Sequence, residues 1–222
     1  MEKLPDILNS LPYLLEGALL SLAITVIALL SGFLIGLPLA LLRVYGSKAA
    51  AGFAQAYSVV LRGLPSLVVL FILFYGISSV VKIPPFLAGC IALGFCSSAY
   101  QMELLRGAIQ SIGSGQMLAA QALGMTQVQA ITAIILPQAL RLAIPSWSNE
   151  AAIVIKDSSL VYAVGLAELL RRSQQVAART YQSFIVYSLC ALIYFTMTFL
   201  TNRGLDHVEH VLRLPTPLEE AH

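Results

Sequence analysis

Long uncharged apolar runs, broken by short polar ones, divide this chain. The first, Gly17 to Leu42, lies between Glu16 and Arg43. At about 1.5 Å per helical residue, such a run crosses a hydrocarbon core of about 30 Å with some tilt. The same pattern predicts spans at about 15–42, 63–81, 86–105, 138–155 and 180–202. A helix satisfies its own backbone groups in lipid, so the expected fold is an all-α integral membrane bundle of five spans. Residues 1–205 form one membrane domain, and 206–222 read as a polar tail. Between the spans, Met1 to Leu11 reads as a short surface segment and Gly46 to Ser58 as an Ala-rich polar loop. Val161 to Leu170 reads as a helix at the outer surface, with Arg171, Arg172 and Arg179 in the connection that follows. Pro65 stands near the start of its span, where a missing N–H costs least. Gly32 and Gly36, four apart, permit a close helix neighbour.

One uncharged stretch breaks the pattern. Gly107 to Leu140 carries no charge, yet Gln110, Gln116, Gln121, Gln127, Gln129 and Gln138 are scattered through it. Each of those amides would need a partner in hydrocarbon. Gly113, Gly115 and Gly124 interrupt it further. The stretch reads as a helix–glycine–helix hairpin outside the lipid. Ala119, Ala120, Ala122 and Leu123 form a helical turn that stops at Gly124-Met125-Thr126, where glycine permits a left-handed exit. A second helical stretch runs to Leu136, and Pro137 ends it or begins the next. Small side chains around a glycine turn suit docking in another protein's groove.

Composition agrees with a membrane protein: 58% of residues are hydrophobic and 11% charged, against about 25% charged in soluble domains. The net charge of +2 comes without a basic run, so nucleic acid is not a partner. Cys90, Cys96 and Cys190 lie in apolar stretches and read as small buried hydrophobes. His207 and His210 read as a solvated helix face, and no metal site is expected. The first apolar run is too long for a cleavable signal's core. The chain carries no GxxxxGK[ST] nucleotide loop, no GxSxG elbow and no HExxH helix. These absences point to a pathway rather than a catalyst, with the energy supplied by another chain.

Ala119-Ala120, three residues, Gly124, nine residues, then Ile134, Leu136 and Pro137 resembles the coupling loop of ABC importer permeases. That pattern begins with Glu, and here Leu118 stands in its place, so an ion pair from that position is lost. RGLPSLVVLFILFYG at 62–76, AYQMELLRGAIQSI at 99–112 and Lys156-Asp157-Ser158-Ser159-Leu160 resemble segments of the polar amino-acid permeases, those for histidine, glutamine, arginine and glutamate. The resemblance implies a type I ABC importer fold whose cytoplasmic loop, 107–137, couples to an ABC ATPase through Ala119, Ala120, Leu123, Gly124, Met125 and Thr126. It also implies two ATPase copies, which hold ATP and Mg while this chain binds no cofactor. A second permease copy or a paralogue and an extracytoplasmic amino-acid binding protein complete the complex, in a prokaryotic inner membrane. The N-terminus would lie outside and the C-terminus inside. Lys and Arg number seven on the expected inner side and six on the outer, so orientation rests on the loop and not on charge.

Charges within spans cost about 2.5–3.5 kcal/mol on insertion scales and face a cavity or a partner. Glu150, with Asn149 and Ser146 expected on the same helical face, is the leading substrate-path residue. Tyr100, Glu103 and Ser97 on the neighbouring span are candidates for the same path. Glu150 has an alternative role, paired with Arg141 or Lys156. Glu103 has one as an i,i+3 partner of Arg106. Lys156 and Asp157 form either an outer gate or an ion pair that fixes the outer helix. Other functions the sequence admits are a permease for a different small solute and, from another class, a membrane enzyme or assembly protein.

Overall fold

In the computed structural model, residues 4–78 and 80–212 are described, and every regular element among them is helical. In chain order these are α1 (Leu4–Asn9), α2 (Leu11–Tyr45), α3 (Lys48–Gly63), α4 (Ser66–Ser78), α5 (Pro85–Ser111), α6 (Ser114–Ala122) and α7 (Gln127–Ala130). A π-helical turn, Ile131–Ile135, joins α7 to α8 (Leu136–Asp157). A 3₁₀ segment, Ser158–Val164, leads to α9 (Leu169–Thr180) and α10 (Ser183–Leu212). Three stretches of the described residues are long and apolar enough to cross a membrane: Leu11–Tyr45, Gln127–Val164 and Ser183–Leu212. A fourth arises if α3 and α4, which meet at a bend of 99°, count as one broken span. Helix α5 falls outside that set because Ser97, Ser98 and Gln101 dilute its apolar content. It is nevertheless the central helix, packed against α2, α3, α4 and α8.

Glycines govern how closely these helices approach. Added Cβ atoms on Gly36 and Gly32 would sit 2.9 Å from Ser98 O and 2.6 Å from Gln101 Nε2. The pair therefore brings the α2 backbone directly onto α5. In lipid, where apolar burial gives no driving force between helices, this close packing is a main source of cohesion.

The structure departs from the sequence expectations at Gly46 to Ser58 and at Val161 to Leu170. Gly46 to Ser58 is not a loop; α3 fills it. Ser47 caps that helix by accepting the Ala50 N–H at 3.3 Å, and the alanines that follow are the strongest helix formers. The α3 helix stops because Pro65 forces Leu64 into an extended conformation, with φ −102° and ψ 138°. Pro137 stands in the first turn of α8, the second of the two placements expected for it. The π-helical turn lets the Leu136 N–H donate to Ile131 O, so the chain absorbs the proline and continues from Gln127 to Asp157. Val161 to Leu170 is not one helix: the 3₁₀ segment that holds its first residues stops at Gly165, φ +94°, and α9 begins only at Leu169. The polar tail is helical as far as it is described, since α10 continues through Arg203 to Leu212, and it carries His207 on the solvated helix face expected of it; residues 213–222 lie outside the described residues.

Candidate functional site

A buried polar cluster sits where α2, α5 and α8 meet. Ser97 Oγ donates to Glu150 Oε1 at 2.7 Å. Gln101 Nε2 donates to Ser97 Oγ at 3.0 Å and to Leu29 O of α2 at 3.0 Å. Trp147 Nε1 donates to Gln101 Oε1 at 2.8 Å. A hydrogen-bonded chain thus runs from Trp147 through Gln101 and Ser97 to Glu150. The helical period explains the alignment: Ser97 and Gln101 are four apart on α5, and Trp147 and Glu150 three apart on α8. Each polar group there has a partner, as buried groups in hydrocarbon require.

The predicted path residues are only partly brought together. Glu150 is 5% exposed and pairs with neither Arg141 nor Lys156; Ser97 takes the place expected for a cation. Ser146 and Asn149 differ from it in exposure. They lie on the exposed side of α8 while Glu150 points into the bundle. Asn149 stands about 100° around the helix from Glu150, and Ser146, one turn away, about 40°. Tyr100 is exposed on α5, with the Arg62 guanidinium 5.4 Å from its ring centre. Glu103 is engaged by Arg106 at 2.8 Å, and Arg106 reaches on to Gln110. Asp157 accepts from Ser66 Oγ at 3.2 Å, tying the end of α8 to the start of α4. Lys156 is exposed beside it.

The 107–137 stretch folds as a hairpin of α6 and α7 around Gly124, whose φ is +82°. Gly124 N–H donates to Gln121 O at 2.9 Å and Met125 N–H to Ala120 O at 3.1 Å, the paired bonds of a Schellman turn. Thr126 then caps α7: its Oγ1 accepts the Gln129 N–H, and the Gln129 side chain accepts the Thr126 N–H at 2.8 Å. This reciprocal capping box fixes the second arm. Ala120 and Ala130 are buried inside the hairpin. Ala119, Gly124 and Thr126 are exposed, Met125 is half-buried, and Leu118, Leu123 and Val128 are 65%, 83% and 69% exposed. An uncharged hairpin with three large apolar side chains turned outward is shaped for a protein partner.

At the opposite end of the fold a second buried carboxylate was not anticipated from the sequence. Glu168 is fully buried. Its oxygens accept from the Leu170 and Arg171 N–H groups, each at 2.8 Å, from Tyr194 Oη at 2.9 Å and from Ser21 Oγ at 3.4 Å. It caps α9 and ties that helix to α2 and α10. Beside it, Arg172 pairs with Glu16 at 2.7 Å and lies over the Tyr13 ring, 4.4 Å from its centre. The α9 approach is tight here as well: a Cβ on Gly17 would sit 2.9 Å from Leu169 Cα.

A helical membrane bundle with a buried polar junction, and with a capped apolar hairpin between two of its long helices, is the architecture of a transport pathway driven by another protein. Residues 32–214 match the family of binding-protein-dependent transport system inner membrane components, and the chain belongs to that family. It is 35% identical over 198 residues to the octopine transport system permease protein OccQ of Rhizobium radiobacter, covering 82% of this chain and 84% of that protein. It is 33% identical over 208 residues to the glutamine transport system permease protein GlnP of Escherichia coli K12, covering 92% and 95%. Among solved structures it resembles an amino acid ABC transporter crystallised with histidines, with TM-score 0.84, 35% identity and coverage of 92% and 96%. The chain is thus a multi-pass inner-membrane permease subunit, a transport component rather than an enzyme. Membership implies an ATPase and a binding protein as partners.

Proposed function

We propose that this chain forms the translocation path of an ATP-driven importer for polar amino acids. The observation that carries the substrate class is full-length likeness to permeases named for glutamine and octopine. In this reading α2, the bent α3–α4 pair, α5, the α7–α8 helix and α10 are the five spans. The N-terminus lies outside and the C-terminus in the cytoplasm. Two permease chains, identical or paralogous, meet two ATPases, which hold ATP and Mg. Each ATPase grips one hairpin through Ala119, Ala120, Leu123, Gly124, Met125 and Thr126. Closure of the ATPases on nucleotide tilts α5 and α8 and switches the path between inward and outward access. Leu118 gives this contact an apolar character where the family pattern has a carboxylate.

Glu150 is the charge of the path, set behind the exposed Ser146 and Asn149, with Tyr100, Glu103 and Ser97 on α5 completing its wall. Lys156 and Asp157 stand at its outer end. A Glu150→Gln chain keeps an oxygen for the Ser97 hydroxyl, so the bundle is expected to assemble. Uptake of a cationic amino acid is expected to fall about tenfold, the scale of one hydrogen bond to a charged group. Unchanged affinity and unchanged amino-acid preference would remove Glu150 from the path. The whole reading is tested by purifying the chain with its ATPase and measuring hydrolysis in vesicles against a panel of amino acids with the binding protein present. Stimulation by one or more polar amino acids is expected. Stimulation by none of them, with another solute active, would exclude the substrate class.

A further inference from the structure

We infer that Gln101 is a positioning residue for transport: its amide locks α5 and α8, the helices on either side of the hairpin, to each other and to α2, so that the three move as one body. This rests on the importer reading. The side chain is fully buried, and its hydrogen bonds reach three helices: Leu29 O on α2, Ser97 Oγ on its own α5 and Trp147 Nε1 on α8. Both amide N–H groups and the amide oxygen are engaged. A rotation of the amide would break all three contacts at once, and in a dry interior each lost partner leaves an unsatisfied group. Gly32 leaves the room this needs, because any Cβ there would stand 2.6 Å from Gln101 Nε2. A bonded glutamine and a glycine that makes space for it, on different helices, are two separate observations of the same lock.

The lock's position gives it a mechanical role. Helix α5 runs from Gln101 down to Ser111, where the hairpin begins, about 15 Å at helical rise. On the other side the chain is helical without a break from Gln127 through Trp147. A pull on the hairpin therefore acts on two arms pinned together inside the bundle. With the pin intact the arms cannot slide past one another, and displacement of the hairpin becomes displacement of the bundle. Ser97, holding Gln101 on one side and Glu150 on the other, carries the same constraint to the path carboxylate.

The test is the number of substrate molecules taken up per ATP hydrolysed, in vesicles holding the complete permease–ATPase complex and its binding protein. Gln101→Leu conserves volume and removes all three bonds. It is expected to lower that ratio about tenfold while hydrolysis continues. Trp147→Phe removes one bond and is expected to lower the ratio less, with no further loss when it is combined with Gln101→Leu. An unchanged ratio in Gln101→Leu overturns the inference. So does a loss of uptake that follows loss of assembled complex or of hydrolysis in parallel, which is the mark of a purely structural residue. If Gln101→Leu does not assemble, Trp147→Phe decides alone, and an unchanged ratio there overturns the inference. Wild-type vesicles that take up no amino acid count against the importer reading and the inference together. Normal wild-type uptake with an unaltered variant ratio counts against the inference alone.

Discussion

A Gly124→Pro chain is expected to assemble its bundle and to lose uptake almost completely. Two independent conflicts fall on this residue. Its φ is +82°, whereas the proline ring holds φ near −65°. Its N–H donates to Gln121 O at 2.9 Å, and proline has no N–H to give. Together they exclude the Schellman turn that ends α6, and the capping box at Thr126 loses its fixed entry. A cost of about 3 kcal/mol would reduce the fraction of hairpins in the docking conformation about a hundredfold, and apparent affinity for the ATPase with it. The remainder of the fold should be spared, because a Cβ at Gly124 meets no other atom within 4 Å. The measurement is ATPase co-purification and uptake, with the thermal midpoint of the isolated permease as control. Normal uptake by this variant would mean that the hairpin is not the coupling element. Gly124→Ala tolerates positive φ better than proline and keeps the N–H, and it should fall between the two.

The hairpin and the long apolar helices were legible in the sequence because local rules write them. Glycine at a left-handed exit and uncharged runs of spanning length each act through neighbours a few positions away. A close helix neighbour for α2 was legible as well, in Gly32 and Gly36, but that the neighbour is α5 was not. The junction of α2, α5 and α8 was visible only in part. Glu150 and Ser97 stood out as polar residues in apolar spans, but nothing local says that they face each other across 53 positions. Gln101 carried a usable signal: a buried amide needs partners, and Ser97 lies one helical turn away. Its link to Trp147 depends on how α5 and α8 pack. The different exposure of Ser146, Asn149 and Glu150 has the same origin. Period alone groups residues 146, 149 and 150 within an arc, and packing then decides which edge of the arc is covered. Pro137 was legible as the start of α8, but the π-helical turn that joins α8 to α7 was not, because no local signal marks such a turn.

Glu168 was missed because one glutamate in a stretch expected to be a surface helix reads as a solvated charge, yet its removal is expected to have the largest effect on stability. A Glu168→Ala chain leaves the Leu170 and Arg171 N–H groups, the Tyr194 hydroxyl and the Ser21 hydroxyl without their shared acceptor. Loss of a helix cap costs about 1 kcal/mol, and loss of a charge-assisted bond about 1.5–3 kcal/mol. With partial rearrangement, destabilisation of about 2–4 kcal/mol is expected, read as a lower thermal midpoint in detergent. Glu168→Gln keeps the size but offers one acceptor oxygen to donors that now use two, so it should fall between wild type and alanine. Tyr194→Phe removes a single bond and should cost less. In the Glu168→Ala background it should cost almost nothing, because its partner is already gone. A Glu168→Ala chain within about 0.5 kcal/mol of wild type would place it among ordinary surface changes and refute the staple. The consequence for transport follows from connectivity. The 3₁₀ segment 158–164 hangs between the end of α8 and the α9 cap, and Asp157 at that end holds Ser66 of α4. Freeing α9 therefore loosens the C-terminal end of α8, whose other end continues into the hairpin, and uptake should decline even in molecules that remain folded.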